Sequence, residues 1–193
     1  MTHLMHDDLF SLEQYARKRP EFRTRVIAHK KNRRVALGSH AALYFEDALT
    51  VQYQIQEMLR IEKIFESEGI QDELDVYNPL IPDGSNWKAT FMLEYEDEHE
   101  RRKALARLIG VEMCVWMQVD GFARVFPISN EDLDRSTPEK TSAVHFMRFE
   151  LTPEMVSAVK KGALISAGID HPEIHVETMI GAEVHKALQG DLR

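Results

Sequence analysis

One cysteine among 193 residues excludes an internal disulfide and a four-thiolate cluster, so no iron–sulfur cluster is expected on this chain. That residue, Cys114, lies in MCVWMQV, whose apolar run predicts a core strand, and its simplest role there is that of a small buried hydrophobe. No stretch reaches the roughly twenty consecutive apolar residues of a membrane-spanning helix. The opening MTHLMHDDLF has neither the basic flank nor the apolar run of a secretion signal, so a cytoplasmic location without membrane association is expected. Internal repeats, low-complexity tracts and a phosphate-binding glycine loop followed by Lys-Ser/Thr are also missing, which removes solenoids and P-loop nucleotide chemistry.

The composition, 44% hydrophobic and 29% charged, is that of a globular chain with enough apolar volume for a core, expected as a single domain over 1–193. Within it, a helical and hairpin part (1–86) precedes a strand-rich part (87–193). Net charge is −8 but unevenly spread. Between Glu13 and Arg34 nine Lys or Arg face two Glu, a local +7 that leaves −15 on the remainder. Arg17, Lys18, Arg23, Arg25, Lys30 and Lys31 are therefore candidates for docking a negatively charged partner. An acidic protein and nucleic acid both respond to such charge. The acidity of the remaining chain and the scarcity of aromatics in the segment, only Tyr15 and Phe22, favour a protein.

Periodicity predicts α+β architecture with a mainly antiparallel sheet, an N-terminal helical segment and one long central helix. Ser11 to Arg19 forms a short helix, and Pro20 is placed to open a second. Arg33–Leu37 and Ala42–Phe45 pair as strands around Gly38-Ser39-His40. The central helix spans Leu49 to Glu66 with Asp47 as N-cap. Its first half also alternates as a strand would, but from Gln56 onward the helical period dominates. Gly69 ends it, and Gln71 to Tyr77 adds a further turn or two. Strands are predicted at Trp87–Glu96, Glu112–Val119, Ala123–Ile128, Ala143–Leu151 and finally Ala163–Ile169. Helices are predicted at Asp97–Ile109, Pro153–Lys161 and Ala182–Leu188.

The strings SLEQYARKRPEFR, IAHKKNRRVALG, YQIQEMLRIEKIF, YNPLIPDGSNWKAT, SAVHFMRFEL and GIDHP run through nearly the whole chain. Together they resemble an uncharacterised bacterial family catalogued as a domain of unknown function (number 3501). The resemblance implies no activity and no catalytic residue. It does imply gene neighbours encoding rubrerythrin and an iron–sulfur oxidoreductase, and hence an accessory role beside acidic redox proteins of that kind.

Read at about 100° per residue, the central helix has two apolar faces. Val51, Ile55, Met58, Leu59 and Phe65 surround Glu62; Leu49, Tyr53, Ile61 and Ile64 surround Glu57, with Arg60 three residues on. A carboxylate in an apolar setting requires a partner, a metal or a proton. Ion pairing between helices is one reading. An enzyme's metal or acid–base site built from Glu57, Glu62, His145 and His171 is the other. Both Glu57 and Glu62 are expected to be buried and paired.

Arg148, on the strand face of Val144 and Phe146, is a candidate partner for either carboxylate, while His145 faces the core with Met147 and Phe149. A di-iron centre needs paired Glu-x-x-His motifs, and the only match is Glu96–His99 in the acidic run EDEHE. His171 and His175, four apart around Pro172, form a weak metal-ligand pair. The loop Tyr77–Thr90 gathers Tyr77, Asn78, Asp83, Ser85, Asn86, Lys88 and Thr90, a polar density that suits either a small-ligand site or a Pro-Asp-Gly turn.

Overall fold

The computed structural model describes residues 3–132 and 135–193. Helix α1 spans Leu12–Lys31 as one element, capped by Ser11, whose hydroxyl accepts from the Gln14 amide. Pro20 lies inside it and does not open a second helix. An interior proline removes one backbone hydrogen bond and costs about 3 kcal/mol. Tyr15, Phe22 and Val26, on both sides of Pro20, are buried in one cluster packed against Leu49 and Tyr53, and this packing keeps the helix continuous through Pro20.

Strands β1 (Arg34–Leu37) and β2 (Ala41–Phe45) follow as the predicted hairpin. Helix α2 (Ala48–Glu62) starts where expected, with Asp47 accepting from the Thr50 amide at 2.9 Å. It ends four residues early. Lys63 takes the left-handed conformation (φ 56°), and the Ile64 amide bonds back to the Leu59 carbonyl. Phe65, counted above with the buried face, is consequently 73% exposed. Gly69 does not stop α2; it sits in helix α3 (Ser67–Tyr77), where a Cβ would lie only 2.8 Å from Ile64 Cγ2. Close packing at the α2–α3 elbow, not a positive φ, explains that glycine.

The two-faced reading of α2 holds for its first three turns. Val51, Ile55 and Leu59 pack with Leu4, Leu74 and Ile81, while Leu49 and Tyr53 turn to α1. On the seam between them, Gln56 is fully buried and clamps the Phe10 backbone, accepting from its N–H at 2.6 Å and donating to its carbonyl at 3.2 Å.

Two antiparallel sheets form, where one was expected. The larger runs β1-β2-β3-β6-β5, with β3 at Asn86–Leu93, β5 at Ile128–Ser129 and β6 at Val144–Glu150. The smaller runs β4-β7-β8, with β4 at Val115–Val119, β7 at Ile165–His171 and β8 at Ile174–Met179. Strand β8 was not anticipated, since the sequence pattern predicts Ala163–Ile169 as the last strand. Of the predicted Ala123–Ile128 strand only Ile128 lies in β5, and Val125 makes a single bridge to Met117. Cys114 falls just before β4, half-buried, and burial raises its thiol pKa.

Inward side chains from both sheets, among them Leu43, Phe91 and Phe149 from the larger and Met117, Ile165 and Ile169 from the smaller, share one core. Each fully buried side chain of this size contributes about 1.5–3 kcal/mol. Helix α4 (Glu98–Arg107) lies on the surface, while α5 (Pro153–Lys160) and α6 (Ala182–Gly190) close the core. The Trp87 indole donates to the Leu188 carbonyl at 3.0 Å. Trp116 lies outside that core, crossing β7 at Gly168, where a Cβ would meet its ring at 2.3 Å, and Arg124 stacks over it.

Arg33 joins these parts. Its guanidinium, 5% exposed, bonds both Asp191 oxygens at 2.9 and 2.6 Å and lies 2.8 Å from Asp47 Oδ2, which His29 Nε2 also meets at 2.5 Å. Removing one partner of a buried ion pair strands the others, at about 3–5 kcal/mol. Arg33→Met should therefore lower the unfolding free energy in urea by about that amount. Arg34→Met, at an exposed pair with Glu94, should cost less than about 1 kcal/mol.

Candidate functional site

Glu57 is answered completely from within. Arg19 grips both its oxygens, Nε at 2.7 Å and Nη2 at 2.9 Å, Tyr15 donates at 2.6 Å, and Arg60 reaches it at 3.4 Å. The Arg19 bond is the main cause that lowers the Glu57 pKa to about 2, so this carboxylate stays ionised near neutrality and holds no proton to exchange. Burial, with the bond to Glu57, raises the Tyr15 pKa far out of range. The cluster welds α1 to α2, with its acceptor sites filled by cations and a hydroxyl.

Glu62 does not behave as expected: it is exposed at the last residue of α2, because the helix ends before a second buried turn can form around it. Nor does Arg148 approach either glutamate. It stands on the outer face of the larger sheet, paired bidentately with Glu131 at 2.8 and 2.7 Å and also bonded to Glu150.

His145 is the hydrogen-bonded core histidine that its strand position predicts, with no exposed surface. Its Nε2 lies 3.0 Å from the Ser142 carbonyl, which can only accept, so the proton sits there. Nδ1 then accepts from the Asn130 amide at 3.0 Å. Thr141 Oγ1 lies 2.9 Å from Nε2 and Glu112 4.0 Å from it; Ser136 donates to Glu112 at 2.9 Å. Burial lowers the His145 pKa against the opposing charge of Glu112, which keeps the ring neutral. This network, buried at His145 and Thr141 and half-buried at Asn130 and Ser136, anchors the segment after β5 to β6.

His171 and His175 do not form a pair. In the β7–β8 hairpin His171 lies opposite Ile174 and His175 opposite Asp170, so the two rings fall on different faces. His171 is buried, spanning the Ile109 carbonyl and the Glu173 amide, while the His175 ring is 82% exposed beside Asp170. Glu96 and His99 are exposed around the start of α4. Glu57, Glu62, His145 and His171 thus occupy four separate settings. Among the described residues no group of three or more His, Cys, Asp or Glu side chains is arranged to hold a metal ion.

What the fold does assemble is a cleft of about 310 Å³ between the end of α3 and the outer face of β3, β6 and β5. Val76, Tyr77, Leu80, Ile128 and Phe146 supply apolar walls, and Lys88 and Arg148 enter from the sheet. Lys88 Nζ donates to the Pro79 carbonyl at 2.5 Å. Of the polar loop noted in the sequence, Tyr77 and Lys88 face this cleft, whereas Asp83, Ser85 and Asn86 bond one another as a turn. Lys88 was legible as one polar residue among seven. Its neighbours Phe146 and Ile128 carried no signal, since they arrive from strands some sixty and forty residues downstream.

The whole-chain match to a family model described as "Protein of unknown function (DUF3501)" covers residues 3–192. The chain belongs to this family. It is also similar to a solved crystal structure, described as a novel protein of unknown function from Burkholderia pseudomallei K96243. That chain is 54% identical, with a TM-score of 0.95 and 100% of both chains covered. Comparison with curated proteins gives no match. Neither family nor neighbour assigns a reaction, and the side chains described above stand as the basis for function in this member of DUF3501.

The Glu57 cluster makes a pH prediction. Its folded pKa of about 2 lies below the ordinary 4.5, so the unfolded chain binds the proton more readily. The stabilisation is complete above about 4.5 and should fade as pH falls toward about 2. Urea unfolding across that range should show a smaller acid loss in Glu57→Gln than in wild type. At pH 7 the variant should already be weaker by about 1–3 kcal/mol.

Proposed function

We propose that this DUF3501 member is an accessory binding protein that docks an acidic redox protein, of the rubrerythrin or iron–sulfur oxidoreductase kind, through the outer side of α1. The observation that carries this reading is a charge imbalance. Arg19, Arg33, Arg107, Arg124 and Arg148 each sit against a carboxylate. Among the described residues none lies within 4 Å of Lys18, Arg23, Arg25, Lys30 or Lys31, and Arg17 has only the exposed i,i+4 partner Glu13. A 20-residue helix is a rod about 30 Å long, so these cations form an extended surface. Such a surface steers negatively charged partners during encounter. The redox character of the partner rests on the gene neighbours that the family resemblance implies.

The six candidate cations do not contribute alike. Lys18 lies over Phe10, Arg25 over Phe22 and Lys30 over Tyr53, at 4.5, 5.0 and 5.8 Å from the ring centroids, so each also covers the α1–α2 seam. Arg23 and Lys31 lie against neither ring nor carboxylate and are the cleaner probes.

Arg23→Glu with Lys31→Glu should leave the unfolding midpoint within the range of ordinary surface changes and slow association with rubrerythrin or the oxidoreductase at least about tenfold. Added salt should weaken the wild-type interaction in the same direction. Stopped-flow association at two ionic strengths measures both. Tight, salt-sensitive binding to duplex or single-stranded nucleic acid without affinity for either redox protein would replace this reading with a nucleic-acid-binding one.

A further inference from the structure

The cleft beside α3 holds an unanswered charge. Its carboxylates already have donors: Glu131 takes both arms of the Arg148 fork and Asp132 takes Arg135, while just outside the cleft Glu150 takes the remaining Arg148 nitrogen and Asp83 accepts from Ser85 and Asn86. Asp75 lies exposed at the rim and accepts from Gln71. Lys88 is different. It is half-buried, and among the described residues no carboxylate lies within 4 Å of its ammonium, whose bonded partner is the Pro79 carbonyl. An ammonium carries three N–H donors, so two remain without a protein partner among the described residues. Burial lowers the Lys88 pKa; the nearby charges of Asp83, Glu131 and Glu150 oppose this and that of Arg148 adds to it, so burial prevails.

The walls around it are apolar. Val76, 64% exposed, and Ile128, 45% exposed, form the lips, and Leu80 and Phe146 lie between them. At about 310 Å³ the space stands at the small end of ligand sites, which pair apolar walls with a few convergent polar groups. We infer that this cleft binds a small monocarboxylate with an apolar body, its head on Lys88 and its body against Val76, Leu80, Ile128 and Phe146. A carboxylate satisfies both free donors of Lys88 by charge-assisted hydrogen bonds. A neutral amide supplies one weaker acceptor. An amine brings a third positive charge beside Lys88 and Arg148. This inference stands apart from the docking surface on α1, since no residue is common to the two.

Calorimetric titration of the full chain with phenylacetate, phenylacetamide and 2-phenylethylamine separates the head from the body. The carboxylate should bind at least about tenfold more tightly than either analogue, the value of one hydrogen bond to a charged group. In Lys88→Met that preference should disappear while the amide binds as before. Val76→Asp changes an exposed lip and leaves the fold intact; the added negative charge should weaken phenylacetate more than the amide. If Lys88→Met does not fold, the wild-type ratio and Val76→Asp decide. No saturable phenylacetate binding, equal affinity for carboxylate and amide, or preference for the amine would each overturn the inference.

Discussion

The buried guanidinium of Arg33 is the constraint on which the arrangement of this protein depends. It sits where α1 ends and β1 begins, and its anions come from the N-cap of α2 and from the C-cap of α6, so one side chain joins α1, α2 and the last helix. The pairing is enforced by desolvation rather than by attraction alone. Burial raises the pKa of both carboxylates; at Asp47 the charge of Arg33, the Thr50 amide and His29 more than reverse it, while at Asp191 burial still prevails. A charge withdrawn from water must remain paired, so the helical part and the sheets cannot separate cheaply.

The same logic recurs at smaller scale. Gln56 fixes the Phe10 backbone to α2, Glu57 fixes α1 to α2, and His145 with Thr141 and Asn130 fixes the segment after β5 to β6. Each sets a buried or half-buried polar group against residues from another element. Apolar packing supplies most of the favourable free energy, and these groups select the register in which that packing occurs. They also engage polar residues conspicuous in the sequence: Glu57 is held by two arginines and a tyrosine and carries no proton near neutrality.

Two surfaces among the described residues bear on function through cations that lack a carboxylate partner. Along α1 several cations stand without carboxylates, and in the cleft beside α3 Lys88 stands with donors unspent. They differ in kind. The helix offers charge over a wide, solvated surface, which governs rate and selectivity of encounter. The cleft offers one partly dehydrated charge inside apolar walls, where a hydrogen bond counts for more.

By itself the sequence determined the elements. The 3.6-residue period, Asp47 at an N-cap, Pro153 opening α5 and the alternation of β3 and β6 placed most helices and strands, because these signals act within a turn or two of chain. It also determined that α2 is apolar on two sides and that His145 faces inward. Where it misled, a distant contact outweighed a local preference. Packing of Tyr15, Phe22 and Val26 carried α1 through Pro20, and Ile64 required a glycine inside α3. The division into two sheets, the partners of Glu57 and Arg148, and the cleft around Lys88 were decided only by tertiary structure. Each joins residues tens of positions apart, and partner choice at that range is set by the desolvation and volume of the assembled core, which no local pattern encodes.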